Sequence, residues 1–450
     1  MRMRLNSFLV AISFVCAGLY QPRIAFALPS FARQTGMECS SCHTGSFGPQ
    51  LNSFGRSFKL NGYVLGEMKN RLKNFSAMVV AGVENTAKDL RKGFELPAGS
   101  SLDTNNNVSV DQTSLFYGGA ISSHVGLMAQ ATYNGPDRTF SWDNADLRYA
   151  NNTKLAGKSF IYGISANNNP SVQDLWQTTP AWQFPFTSSA IAPTPNAGPY
   201  MASLGQTVGG LGVYSMWNDL VYAELSGYRT LGDDFQQTMG LKDVATSDHL
   251  RGIAPYWRLA LQHNGGQQYF SIGTFGMSSN RLPGNVTGFG TDNMLDYAMD
   301  GTYQFTSKNG RHNLSLYGVA LHERQDLSAT AASGGATNTH DDLNFLRASA
   351  SYYYKDIYGL TASRFVTTGS SDALLYAAPS NHRPDSAGWI LQADFTEMVM
   401  LPKVALDTHA RFFVQYTAYD KFNGLSKNYD GTGRNAADNN TLFIGTWLAF

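Results

Sequence analysis

The sequence predicts an all-β protein: a 16-stranded antiparallel transmembrane β-barrel, with a small N-terminal α-helical segment that plugs its lumen. Three observations predict it. Apolar and polar residues alternate in segments of about ten or more residues, long enough to cross a bilayer at a tilt, whereas soluble strands average nearer five or six. Short turns alternate with long polar connections, the rhythm of outer-membrane barrels. The 450 residues include 44 Gly, 27 Phe and 23 Tyr but only 15% charged residues, a composition that suits many turns and aromatic girdles.

Residues 1–27 read as a Sec signal peptide. Arg2 and Arg4 form the basic start, Phe8 to Val15 the apolar stretch, and Ala25-Phe26-Ala27 the cleavage site. Cys16 is a poor lipoprotein site, because Phe14 and Val15 precede it. Cleavage removes Arg2, Arg4 and Arg23, leaving the mature chain slightly acidic. Nothing in that balance favours nucleic acid.

Residues 28–72 form a second unit, too short for an ordinary core without a staple. The staple is written as Cys39-Ser40-Ser41-Cys42-His43, a Cys-x-x-Cys-His attachment site for one covalent haem c. Two thiols bond the porphyrin vinyl groups and the adjacent imidazole of His43 is the proximal iron ligand. A Cys39–Cys42 disulfide would leave His43 unexplained. Phe31, Phe54 and Phe58 are candidates to pack on the porphyrin, the last two at helical spacing with Gly62 as the stop. Arg33, Arg56 and Lys59 are candidates to meet its carboxylates, or are ordinary solvated charges. Met68 is the preferred distal ligand over Met78 and Met37, with a lumen-facing barrel side chain, or no protein ligand, also open.

Residues 73–450 hold the barrel. In Val404 to Ala418 an apolar face (Leu406, Ala410, Phe412, Val414, Tyr416) opposes Asp407, His409, Arg411 and Gln415. Leu346, Ala348, Ala350 and Tyr352 oppose Arg347, Ser349 and Ser351 in the same way; Trp389, Leu391 and Phe395 oppose Gln392 and Asp394. Sixteen such segments are expected near 75–85, 108–119, 122–133, 143–152, 156–167, 207–217, 219–229, 255–263, 267–278, 292–305, 311–322, 343–354, 357–367, 386–397, 404–418 and 439–450. An even number brings both ends of the barrel to the periplasmic side. Leu442, Ile444, Thr446, Leu448 and Phe450 share one face and end on an aromatic, which resembles the assembly signal of outer-membrane barrels. The expected location is the outer membrane of a Gram-negative bacterium, in contact with its lipid.

The connection from Asn168 to Gln206 is unusual. Trp176, Trp182, Phe184 and Phe186, stiffened by Pro180 and Pro185, make an apolar segment that should not stay in water. It is expected to fold into or over the barrel mouth.

Leu28 to Gly36, the Cys39–His43 site, Pro49, Leu51-Asn52 and Phe54 to Tyr63 resemble the fused cytochrome–porins, typified by the outer-membrane iron-oxidising cytochromes. Asn168 to Pro185 is similar to that family too. The resemblance implies a conduit that oxidises extracellular Fe(II), or another reductant, and passes electrons to a periplasmic c-type cytochrome. The activity would be Fe(II):cytochrome c oxidoreduction. Two other readings stand beside it: the same conduit with a different donor or acceptor, and a diffusion porin whose haem segment is a plug or redox sensor. His322-Glu323 and His340-Asp341-Asp342 contain Fe(II)-ligand types, but solvated polar groups explain them better. Gly157-Lys158-Ser159 lacks the upstream glycine of a phosphate loop.

Overall fold

A strand with one apolar face must bury it or turn it to lipid, and a closed ring of such strands leaves no edge unpaired. That is the architecture here. The structure is a computed structural model and describes residues 29–46, 48–65, 74–97, 99–377, 380–401 and 406–450. The expected signal peptide and Met68 lie outside the described residues.

Sixteen long strands follow one another around the ring: β1 (Phe75–Thr86), β2 (Asn107–Ala120), β3 (Val125–Asn134), β4 (Thr139–Leu155), β5 (Lys158–Asn167), β6 (Val208–Trp217), β7 (Val221–Thr230), β8 (Ala254–Asn264), β9 (Gln268–Leu282), β10 (Asp292–Thr306), β11 (His312–Asp326), β12 (His340–Tyr354), β13 (Tyr358–Gly369), β14 (Ser386–Leu401), β15 (Leu406–Lys421) and β16 (Thr441–Ala449). Each pairs antiparallel with the next, and β1 closes the ring on β16 from Met78↔Ala449 to Thr86↔Thr441. A two-residue strand, His249–Leu250, adds to the end of β9 and is not a stave of its own. All sixteen segments expected from period-two patterning are present. One bound differs: β4 runs past the expected end at 152 through Leu155, and the chain reverses at Ala156-Gly157, both at positive φ, as a two-residue hairpin turn requires.

Burial alternates strictly along β8 and β10. Outward-facing Leu211, Val213, Leu259, Leu261, Ile272, Leu346, Leu360, Leu391 and Val414 are exposed, too wide an apolar belt for water. Phe75, Phe270, Tyr352 and Tyr358 lie near the short-turn end, and Phe140, Tyr297, Trp389 and Tyr416 toward the other, as interfacial girdles do. No helix among the described residues is long and apolar enough to cross a membrane. The strands do the crossing, and the protein resides in the outer membrane of a Gram-negative bacterium.

Among the described residues, three short helices precede β1. In α1 (Pro29–Thr35) proline stands at the first position, where its missing N–H costs nothing, and Gly36 at φ +69° ends the helix. In α2 (Cys39–Cys42) a single turn sets the two cysteines three residues apart on one face. In α3 (Ser53–Leu60) the Asn52 side chain accepts the Gly55 N–H as an N-cap, and Gly62 at φ +72° follows its end.

Polar contacts tie these helices to staves around the inner wall. Arg56 donates to Gln304 of β10, Gln50 to Ser351 of β12, and Tyr63 OH to Asp146 of β4 at 2.7 Å. Tyr214 OH of β6 donates to the Leu60 carbonyl at 2.8 Å. The Asn168–Gln206 connection folds inward as well: Val172, Leu175 and Trp176 are fully buried. Trp176 Nε1 donates to Tyr269 OH of β9, and the Thr178 hydroxyl donates to Asp300 of β10.

Candidate functional site: a lumenal cavity beside Cys42 and His43

Because α2 is one turn followed by the extended residue His43, the imidazole leaves the helix end in a new direction. An isolated bridge to Leu51 holds it there. Helix α3 packs directly on this turn. A Cβ at Gly55 would overlap the Cys42 carbonyl oxygen, so only glycine allows the approach.

Cys42 and His43 line a lumenal cavity of ≈ 440 Å³, within the range of small-molecule and cofactor sites. Its walls come from three sources. The N-terminal segment gives Phe31, Gly55, Phe58, Lys59 and Tyr63; the barrel gives Met78, Phe116, Met128 and Trp447; the inward connection gives Trp182, Pro185 and Phe186. Phe31 packs edge-on to Phe58 at 5.1 Å and stacks on Tyr63 at 5.4 Å. The cavity's polar lining includes Lys59, Asp143 and the amides of Gln112, Gln130, Asn144, Gln177 and Gln183.

Cys39 and Cys42 are buried free thiols. Burial pushes Cys42 up to about 11; burial, with the neighbouring Cys42 adding to it, also raises Cys39 well above the ordinary thiol value. Burial lowers His43 to about 4; the Gln50 backbone partly offsets this and Arg411 adds to it. The imidazole is therefore neutral, the form that binds metals. Its Nδ1 is buried with no hydrogen bond of normal geometry. Two free thiols, a neutral imidazole and an aromatic cavity beside them are a donor set and cradle that fit a covalent haem c.

Other expected residues fall differently. Phe58 lines the cavity but Phe54 is exposed, because the lining face of α3 runs through Gly55, Phe58 and Lys59. Arg33 lies away from the lining and donates to the Phe75 carbonyl. Arg56 donates to the Leu51 carbonyl and Gln304, both at 2.8 Å, and stacks over Tyr269. Lys59 lines the cavity and donates to the Val172 and Asp174 carbonyls, both at 2.7 Å. Burial, reinforced by Arg148, lowers it to about 7 against the pull of Asp146, Asp174 and Glu224.

With Met68 outside the described residues, Met78 and Met128 are the methionines on the cavity wall. Sequence reading missed Met128, Phe116 and Trp447 as lining residues, and also His409, whose Nδ1 stands 4.0 Å from Cys39 Sγ. All belong to staves, and nothing local marks which staves will face residues 29–65. His322 and His340 are at the extracellular ends of β11 and β12, each within ion-pair distance of an aspartate; among the described residues no three metal-ligand types cluster.

No protein-family model matches the chain, and no curated relative matches it. Among solved structures it is similar to the anion-selective porin from Comamonas acidovorans (TM-score 0.45, 10% identity, 84% of this chain and 98% of that one). It is also similar to the outer-membrane channel DcaP of Acinetobacter baumannii (0.43, 11%, 84% and 96%). A loop-deletion mutant of OmpT from Vibrio cholerae is a third (0.43, 10%, 84% and 98%).

Proposed function

We propose that this outer-membrane barrel is an electron conduit built around one haem c, taking electrons from extracellular Fe(II) and delivering them to a periplasmic c-type cytochrome. The observation that carries the reading is the presence of Cys42 and His43 on an aromatic cavity inside a closed barrel. Haem c bound there supplies a one-electron couple at its iron.

The chain's own residues have distinct tasks. Cys39 and Cys42 anchor the porphyrin, and His43 presents a neutral imidazole. Phe31, Phe58, Phe116 and Trp447 exclude water, which stabilises the less charged reduced state. Lys59, Gln112 and Gln130 supply donors for carboxylates. The barrel spans a bilayer that stops both ions and electrons, so a site held in its lumen is approachable from two compartments. Ferric products, poorly soluble near neutral pH, would form outside the periplasm.

A diffusion porin plugged by its N-terminal segment is the second reading, favoured by the strand number, since sixteen staves leave room for an aqueous channel. Against it, Lys59, Val172, Asp174, Trp176 and Arg258 pack as buried groups across that lumen. Two measurements separate the readings. Oxidised, purified protein mixed with Fe(II) should show haem reduction in its visible spectrum, and planar-bilayer recordings should show little ion conductance. A large steady conductance with no reduction would establish the porin instead.

A further inference from the structure

The lumen holds a second cavity whose charge is unbalanced. It has a volume of ≈ 270 Å³ and lies between residues 185–197 of the inward connection and the wall from β12 to β16. Thr367, Thr417, Tyr419 and Thr441 place it toward the extracellular ends of those staves. Arg347 is the one cation on its lining, and no carboxylate lines it among the described residues.

Lumenal arginines elsewhere are balanced. Arg148 pairs with Asp146 at 2.7 Å, Arg258 with Asp300 at 2.6 Å and Arg281 with Asp292 at 2.8 Å. Arg56 lacks a carboxylate but has a carbonyl, an amide and a hydroxyl as acceptors. Arg347 donates Nη1 to the Phe184 carbonyl and stands 5.4 Å from the Phe345 ring centroid. Its Nε, like those of Arg56, Arg258 and Arg281, is buried without a hydrogen bond, but no carboxylate stands beside it among the described residues. A guanidinium in a low-dielectric pocket is costly unless an anion accepts its remaining donors. Its planar fork fits a carboxylate or phosphate in two-point contact. Hydroxyls of Ser188, Thr194 and Thr417 share the lining and can donate to such an anion.

We propose that this pocket is a binding site for a small oxyanion of carboxylate or phosphate type, entering from the extracellular side with Arg347 as its counter-ion. Pro185 lines both this pocket and the cavity beside His43. A bound oxyanion therefore sits one loop segment from that cavity. The site stands on charge and geometry alone and does not depend on the haem reading.

The test is calorimetric titration of the full-length, detergent-solubilised protein with inorganic phosphate and, separately, with succinate. Saturable binding of at least one is expected, and whichever binds tells phosphate from carboxylate. Arg347→Gln should weaken it tenfold or more, Arg347→Lys less, and the control Arg324→Gln not at all. Should Arg347→Gln fail to assemble, Thr417→Asp places a carboxylate on the lining of the same pocket and should abolish binding in a folded barrel. No saturable binding of either anion, or binding unchanged by Arg347→Gln or Thr417→Asp, would overturn the proposal. Haem content is measured on the same samples, so loss of one reading is not mistaken for loss of the other.

Discussion

Gly55 of α3 faces the Cys42 carbonyl oxygen so closely that a methyl group at Gly55 would overlap it. The helix that carries Phe58 and Lys59 is thus seated directly on the turn that carries the two thiols. Gly55→Ala must separate them. Overpacking of this kind costs about 1–3 kcal/mol. The expected outcome is a normally assembled barrel with reduced haem content, measured as haem absorbance per folded chain. Wild-type haem content in Gly55→Ala would show that this contact does not shape the site.

The wall holds the N-terminal segment through a buried ion pair. Arg148 Nε meets Asp146 at 2.7 Å with both side chains fully buried, and Arg148 also donates to the Lys59 and Gln173 carbonyls. Removing one partner of such a pair costs about 3–5 kcal/mol, because the other charge is left uncompensated. Arg148→Met should lower the temperature at which the ellipticity of the haem band is lost. The double variant Asp146→Asn/Arg148→Met should recover part of the loss. Equal melting of wild type and single variant would contradict this anchoring role.

The inward connection covers the cavity through Trp182, Pro185 and Phe186. Deleting Val172 to Pro195 should open it, so that a small hydrophilic reductant such as ascorbate reduces the haem several-fold faster. Stopped-flow traces that superimpose on wild type would rule out a covering role.

Lys59 sets a pH dependence. Its folded value is lowered to about 7, chiefly by burial and then by Arg148, against an ordinary value of about 10.4. Between those values the unfolded chain binds the proton and the folded chain does not, so stability rises with pH across that window. Below about pH 7 both states are protonated and the full penalty of a buried charge remains. The unfolding free energy of wild type minus that of Lys59→Met should therefore increase from pH 7 to pH 10. A flat difference would mean that Lys59 is not desolvated.

The staves were legible because period-two alternation is local: Leu346 outward and Arg347 inward can be read off adjacent residues. The reversal after the segment expected at 143–152 was less legible: the strand runs on through Leu155, and the left-handed pair needed for reversal is Ala156-Gly157. Cys39 to His43 stands out because it is a contiguous pentapeptide, and the inward fold of the connection was legible from its aromatic content around Trp176. The rest of the cavity was not. Met128, Phe116 and Trp447 look like any lumen-facing residue of any stave, and they meet Cys42 and His43 only after the ring closes and α1–α3 dock inside it. Phe54 and Phe58 have the same sequence spacing, but the direction from which α3 approaches Cys42 decides which one lines the cavity.

In the proposed conduit Cys39 and Cys42 carry one haem covalently inside this barrel. The direct measurement is the pyridine haemochrome spectrum of the purified outer-membrane protein after denaturation in detergent and acid–acetone extraction. One haem per chain is expected, retained on the polypeptide and lost in Cys39→Ala/Cys42→Ala while the barrel still assembles. A wild-type chain that releases its haem into the organic phase, or that carries none, would contradict it.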